Sequence, residues 1–170
     1  MAVHGRMPAV AQKAAQDIGR TLEEAVKAGQ IRLDDLFDHN YVPIPNTRPQ
    51  KYSSKFDALT DKIFPPVQEP VLDGHSEATY AGAVDINGYF PTHNKRFSKP
   101  LTGDEKVDFV NNRTKRIFSD PVGKKCGSHE QPYLLQTYRR DTGEIMHDLS
   151  VPIYVQGRHW GGFRLGYRTE

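Results

Sequence analysis

The last third of the chain, YLLQTYRRDTGEIMHDLSVPIYVQGRHWGGFRLGYR, constrains the fold more than any other stretch. Runs rich in β-branched and aromatic residues are separated by Asp141-Thr142-Gly143 and by Gln156-Gly157. Glycine in such short connections supplies the positive φ that a tight hairpin needs. Three consecutive antiparallel strands follow. A sheet must bury one face against another element, so the rest of the chain has to supply a cover.

The N-terminal segment supplies one. From Pro8 to Lys27, Val10, Ala14, Ile18, Leu22 and Val26 (or Ala25) recur every four residues, with Glu23, Glu24 and Lys27 off that line. This spacing predicts an amphipathic helix, which Gly29 stops, and a short helical turn is expected from about Asp34. Tyr41 to Ser53 carries Pro43, Pro45 and Pro49 and reads as an ordered loop anchored by Tyr41, Ile44 and Tyr52. Helical spacing returns from Ser54 to Phe64, is interrupted at Pro65-Pro66 and resumes to Leu72.

After Asp73-Gly74 the period changes. ATYAGAVDI reads as a strand, Asn87-Gly88 as a two-residue hairpin turn, and Tyr89-Phe90 as the start of a return strand that Pro91 cuts short. Asp104 to Asn112 is expected to be a short helix, and NRTKRIFSDPVGKKCGSHEQP shows little regular structure. The sum is an α+β chain with about five antiparallel strands preceded by N-terminal helices. At 170 residues it forms a single domain spanning 1–170, with a leading helix over 1–30 and a body over 31–170.

Composition narrows the chemistry. With 23 Lys+Arg against 21 Asp+Glu the formal charge is +2, which gives no ground for a nucleic-acid partner. Cys126 is the single cysteine, so an internal disulfide and a thiolate zinc site are both excluded, and a reducing compartment is the simpler reading. No apolar run is long enough to span a membrane. None of the seven His forms an HxH or HExxH pattern, and GxSxG, Walker and GxGxxG motifs are missing, so no metal site and no enzyme are expected.

Several polar residues remain candidates for binding. His93 and Asn94 follow an aromatic pair and either line a pocket or close the turn on their own backbone. Arg139 and Arg140 share a strand, so one of them faces inward and is able to hold a carboxylate. Trp160, after Arg158 and His159, reads first as a cover for one end of the core. Arg113, Lys115 and Arg116 read first as a solvated helix end, with an anion site as the second reading.

Taken in order, DINGYFPTHN, NRTKRIFSDPVG and LLQTYRRDTGEIMHDLSVPIYVQGRHWGGFRLGY resemble the PAS-like or Cache-like sensory domain of bacterial methyl-accepting chemotaxis proteins. The upstream DLFDHNYVPIPNTRPQKYSSKFDALTDKIFPPVQEPVL resembles the leading part of the same domain, so the likeness runs from about Ile31 to Tyr167. It implies a cytoplasmic signal-input module in which a helix leads into a half-barrel sheet and ligand occupancy moves helices joined to a signalling coiled coil. That coiled coil is not within these residues, so the chain is expected to be a piece of a receptor or a detached sensor.

The implied partners are a small-molecule ligand, the signalling domain of the parent receptor and a second copy in a homodimer. The pocket is expected between the sheet and the loops at 41–52 and 89–94, with Tyr89, His93, Asn94, Tyr138 and Arg139 as contacts and Arg116 and Trp160 behind them. No cofactor is required by the sequence. The alternatives are a haem sensor with His93 as axial ligand and a ligand-free module that dimerises through the Val10-Ala14-Ile18-Leu22 line.

Overall fold

The computed structural model describes residues 3–139 and 143–169. Helix α1 spans Val3–Lys27 and buries Met7, Ala11, Ala14, Ile18 and Leu22 along one stripe. It ends as the glycine at position 29 requires. Gly29 has φ +74°, its N–H donates to Val26 O at 3.1 Å, and Gln30 N–H donates to Ala25 O at 2.9 Å, which together form a Schellman cap.

Short elements follow: α2 (Leu33–Leu36), a ribbon of β1 (Val42–Pro43) and β2 (Tyr52–Ser53), then α3 (Asp57–Ile63) and α4 (Pro65–Asp73). Next come β3 (Ala78–Asp85), β4 (Tyr89–Phe90), a 3-10 turn over Lys95–Phe97 and α5 (Glu105–Asn111). The chain closes with β5 (Arg116–Ile117), α6 (Pro121–Ser128), β6 (Leu134–Arg139), β7 (Ile145–Val155) and β8 (Arg158–Tyr167). The α+β layout is as expected.

The principal sheet has four antiparallel strands in the order β3-β8-β7-β6, not five. Its last turn has φ 51° at Gln156 and 75° at Gly157, the left-handed pair of a tight hairpin. Of the first turn, Asp141 and Thr142 lie outside the described residues.

The strand expected to return beside β3 leaves the sheet. Asp85 Oδ1 accepts the N–H groups of Asn87 (2.9 Å) and Tyr89 (3.0 Å), so its carboxylate holds a corner. The free edge of β3 is already taken. Asn94 accepts from Ala81 N–H and donates to Ala81 O, both at 2.9 Å, and Gln68 Oε1 accepts from Ala83 N–H at 2.9 Å. Two side-chain amides thus do what a neighbouring strand would do, and they blunt an edge that would otherwise offer itself for pairing. β4 pairs instead with β5, in the register Tyr89↔Ile117 and Phe90↔Arg116. Phe90 lies over β3 because Gly82 has no side chain; a Cβ there would stand 2.5 Å from the ring.

α6 is a further departure, since its stretch reads as irregular. Its start follows the usual pattern: Asp120 accepts from Gly123 N–H at 3.2 Å and Pro121 occupies the first turn. The glycines that weaken its helix signal are what let it dock on the strands. A Cβ at Gly127 would lie 2.1 Å from Asp85 O, and one at Gly162 of β8 would lie 2.1 Å from Cys126 O.

The two faces of the sheet are covered differently. Leu149, Val151 and Ile153 of β7 and Phe163, Leu165 and Tyr167 of β8 join the core that includes α1. A methyl at Gly19 of α1 would stand 2.9 Å from Tyr154 O, so the small residues of α1 allow it to approach the strands closely. On the other face lie α6 and the segment from Phe90 to Val122.

Candidate functional site

Alternation along the strands decides what faces that second side. Tyr80 of β3, Met146 and Asp148 of β7, and Arg164 of β8 are on it, with Gly162 and Gly166 flanking Arg164 on the same face. The Tyr80 ring covers Gly166, where a Cβ would lie 2.1 Å from it. Above these residues Phe90, His93, Phe97, Val110 and Phe118 form a roof, and the space between is a cavity of about 360 Å³. Tyr138, Arg113, Asp120, Val122 and Thr79 complete its wall.

The floor is a buried ionic network. Asp148 is fully buried and Arg164 is 7% exposed. Arg164 Nε donates to Asp148 Oδ2 at 2.9 Å, Tyr80 OH donates to the same oxygen, and Cys126 Sγ donates to Oδ1 at 3.0 Å. Burial opposes the Arg164 charge, yet the Asp148 carboxylate outweighs it and holds the guanidinium well above its ordinary pKa. Burial and the same carboxylate push the Cys126 thiol up, which keeps it protonated and a poor nucleophile. The Tyr80 hydroxyl is raised for the same reasons.

The roof is aromatic and cationic. His93 stacks on Phe90 with centroids 4.0 Å apart and meets Phe97 edge-on at 5.1 Å. Its Nδ1 accepts from Asn94 N–H at 2.8 Å, which places the ring proton on Nε2. Burial, then Arg164, Arg113 and Arg116, drive its pKa well below the usual histidine range, so the ring is neutral. Arg116 lies just outside, its guanidinium 4.9 Å from both the Phe109 and the Phe118 ring centroids. Burial and Arg113 push Arg116 down to about 10, and it stays charged at neutral pH.

Of the residues expected to contact a ligand, His93 and Tyr138 line this cavity and Arg116 backs its Phe118 wall. The others lie elsewhere. Tyr89 is in the core on the α1 side, its hydroxyl donating to Tyr52 O at 3.0 Å and to the Asp57 carboxylate at 2.9 Å. Trp160 is in that same core and donates to Leu36 O at 2.9 Å. Asn94 is consumed by the β3 edge and by Glu69, to which its Nδ2 donates at 2.7 Å. Arg139 is exposed and donates to Gly143 O at 2.8 Å within the hairpin; Arg140 lies outside the described residues. The 41–52 loop is also away from the cavity, with Tyr41 donating to Asp85 and Ile44 N–H to Lys51 O.

Sequence reasoning missed Arg164, Tyr80, Thr79, Phe97 and Phe118. One signal was present: Gly162, Arg164 and Gly166 alternate, so a strand face that carries a cation also carries two residues without side chains. Such a face has room for something to sit on it.

A haem does not fit the residues present. Metal-ligating histidines generally donate their second ring N–H to an acceptor, which leaves a lone pair for the metal. His93 has the opposite polarity, because its Nδ1 accepts and its Nε2 carries the proton. Among the described residues no group of three or more His, Cys, Asp or Glu is placed to hold a metal ion, and no helix is long and apolar enough to cross a membrane.

No family model and no curated protein matches the chain. Among solved structures, an extracellular ligand binding receptor from Desulfohalobium retbaense DSM5692 is similar with a TM-score of 0.40 and 13% identity. The alignment covers 95% of this chain and 25% of that one, so the chain spans a quarter of the receptor's length. A likeness of that degree carries no functional argument, and the site has to be read from its own geometry.

Proposed function

We propose that this chain is a signal-input domain, not an enzyme, which binds a small molecule in the cavity between the sheet and residues 90–122. The carrying observation is where that cavity lies. It opens on the face of β7 and β8 opposite α1, so Arg164 in its floor sits between Phe163 and Leu165, which pack in the core with α1. A ligand that displaces the Arg164 backbone must displace core residues on both sides of it, and packed cores respond to such shifts as a unit.

The resemblance of the sequence to chemotaxis sensory domains supports a parent receptor of that kind, with the domain on the cytoplasmic side and α1 as the element that leads toward the signalling helices. Homodimerisation belongs to the same reading. It would use a surface other than the Ile18-Leu22 stripe, which the chain's own sheet covers. The buried, protonated Cys126 supports a binding role over a catalytic one.

The test is a thermal-shift and calorimetry screen over metabolites, together with mass spectrometry of protein purified from cells. A binder is expected whose effect disappears in Val122→Trp, which fills the cavity. Protein that carries no small molecule from cells and responds to no compound in the screen would remove this reading.

A further inference from the structure

The cavity holds hydrogen-bonding groups that its own fold leaves unused. Arg164 engages Asp148 through Nε, while no acceptor among the described residues takes the N–H groups of its two Nη atoms. Thr79 Oγ1, also in the cavity wall, is buried and has no hydrogen-bond partner. Its orientation has a cause: the β3–β8 register shifts between Ala78 and Tyr80, and such an irregularity re-aims the residue it frees. His93 adds a third group, since its protonated Nε2 makes no hydrogen bond with the described residues.

The walls between these groups are flat. Tyr80, Phe90, Phe97, Phe118 and Tyr138 supply ring faces, and about 360 Å³ is at the small end of ligand pockets. Among the described residues no carboxylate deep in the cavity is free for a cation. Both oxygens of Asp148 are occupied by Cys126, Arg164 and Tyr80, and Asp120 is an exposed carboxylate at the rim that caps α6.

Resting on the reading above that the cavity binds a small molecule, we propose that its ligand is a small aromatic monocarboxylate, with the carboxylate on the Arg164 Nη edge and the ring between the Phe and Tyr walls. A guanidinium edge matches a carboxylate in two parallel hydrogen bonds. Thr79 and His93 stand in the same wall as further donors. A zwitterionic amino acid is disfavoured, because among the described residues the one carboxylate beside Arg164 is Asp148, already engaged through both oxygens, while Asp120 stands at the rim.

The probes are benzoate and phenylacetate, their uncharged amides benzamide and phenylacetamide, phenylalanine, and inorganic phosphate, titrated calorimetrically into the unaltered chain. The carboxylates are expected to bind, with each amide weaker by about 10- to 100-fold, as for loss of a charged hydrogen-bond partner. Phenylalanine is expected to be no better than the amides, and phosphate not to bind. Arg164→Lys keeps the pairing with Asp148 but loses the planar fork, so it is expected to weaken the carboxylates by about 10-fold or more and leave the amides unchanged. Thr79→Val, which leaves the ionic floor intact, is expected to weaken them by about 2- to 10-fold. Arg139→Ala is expected to change nothing.

Amides that match the carboxylates, or phenylalanine that exceeds them, would overturn the carboxylate assignment while leaving the pocket reading in place. So would a ligand of another class, captured from cells, that binds where these probes do not. A chain that binds no compound of any class fails the earlier reading as well.

Discussion

Phe163 and Leu165 point from β8 into the core with α1, while Arg164 between them points into the cavity beside Asp148, Tyr80 and Cys126. One face of the sheet is mainly aliphatic and aromatic, and its few polar ends, such as those of Tyr89 and Trp160, have partners. The other buries an ion pair, a thiol and a phenol, and its stability depends on each polar atom finding a partner. The same strands therefore serve two purposes: the α1 face holds the fold together, and the opposite face leaves Thr79 Oγ1 unpartnered and lines a cavity with Arg164, where a ligand can reach both.

Substitutions separate the two faces by size of effect. Phe163→Ala is expected to cost about 3–5 kcal/mol in urea unfolding, because a fully buried ring leaves a cavity against α1. A loss under about 1 kcal/mol would show that the α1 face is not the stabilising side. Gly162→Ala drives a methyl to within 2.1 Å of Cys126 O, so α6 must shift; about 1–3 kcal/mol is expected, with a weakened ligand response. An unchanged midpoint together with unchanged binding would contradict the close α6–β8 contact.

The smallest effect is in the pH dependence. His93 is held neutral in the folded protein, with its pKa well below the usual histidine value. As pH falls through about 6.5 the unfolded chain takes up a proton that the folded chain does not, so this group's stability contribution is full above that pH and is lost below it. Relative to His93→Gln, the native chain should lose up to about 1.4 kcal/mol per pH unit below 6.5, and the two should run parallel above it. Parallel curves across the whole range would place His93 in contact with water and not in a dry roof. On the α1 face burial also lowers His147, though less than His93, so acidification should act chiefly on the cavity side.

Much of this could be read in advance, and the failures share a cause. The helix at α1, its stop at Gly29 and the three C-terminal strands are set by periods and turn residues that act over a few neighbours. Within the candidate site, His93 and Tyr138 were legible, as a polar residue after an aromatic pair and as an aromatic residue on a strand. Tyr89 and Trp160 were not assignable to the opposite side, because which face an aromatic residue takes depends on Asp57 and Leu36, the distant partners of their polar ends. Asn94 looked like a ligand contact and is an edge cap, since its partner Ala81 lies 13 positions away.

By itself the sequence determined the leading helix, its stop at Gly29 and the three C-terminal strands, whose alternation puts Arg164 on the face opposite Phe163 and Leu165. Only the tertiary structure decided that β4 leaves the sheet, that glycine-bearing α6 docks over Gly162, and that Arg164 is buried beside Asp148 under an aromatic roof. The physical reason is range. Backbone preference and side-chain periodicity are local, whereas the burial of a charge and the choice of a strand's neighbour depend on groups brought together from distant parts of the chain.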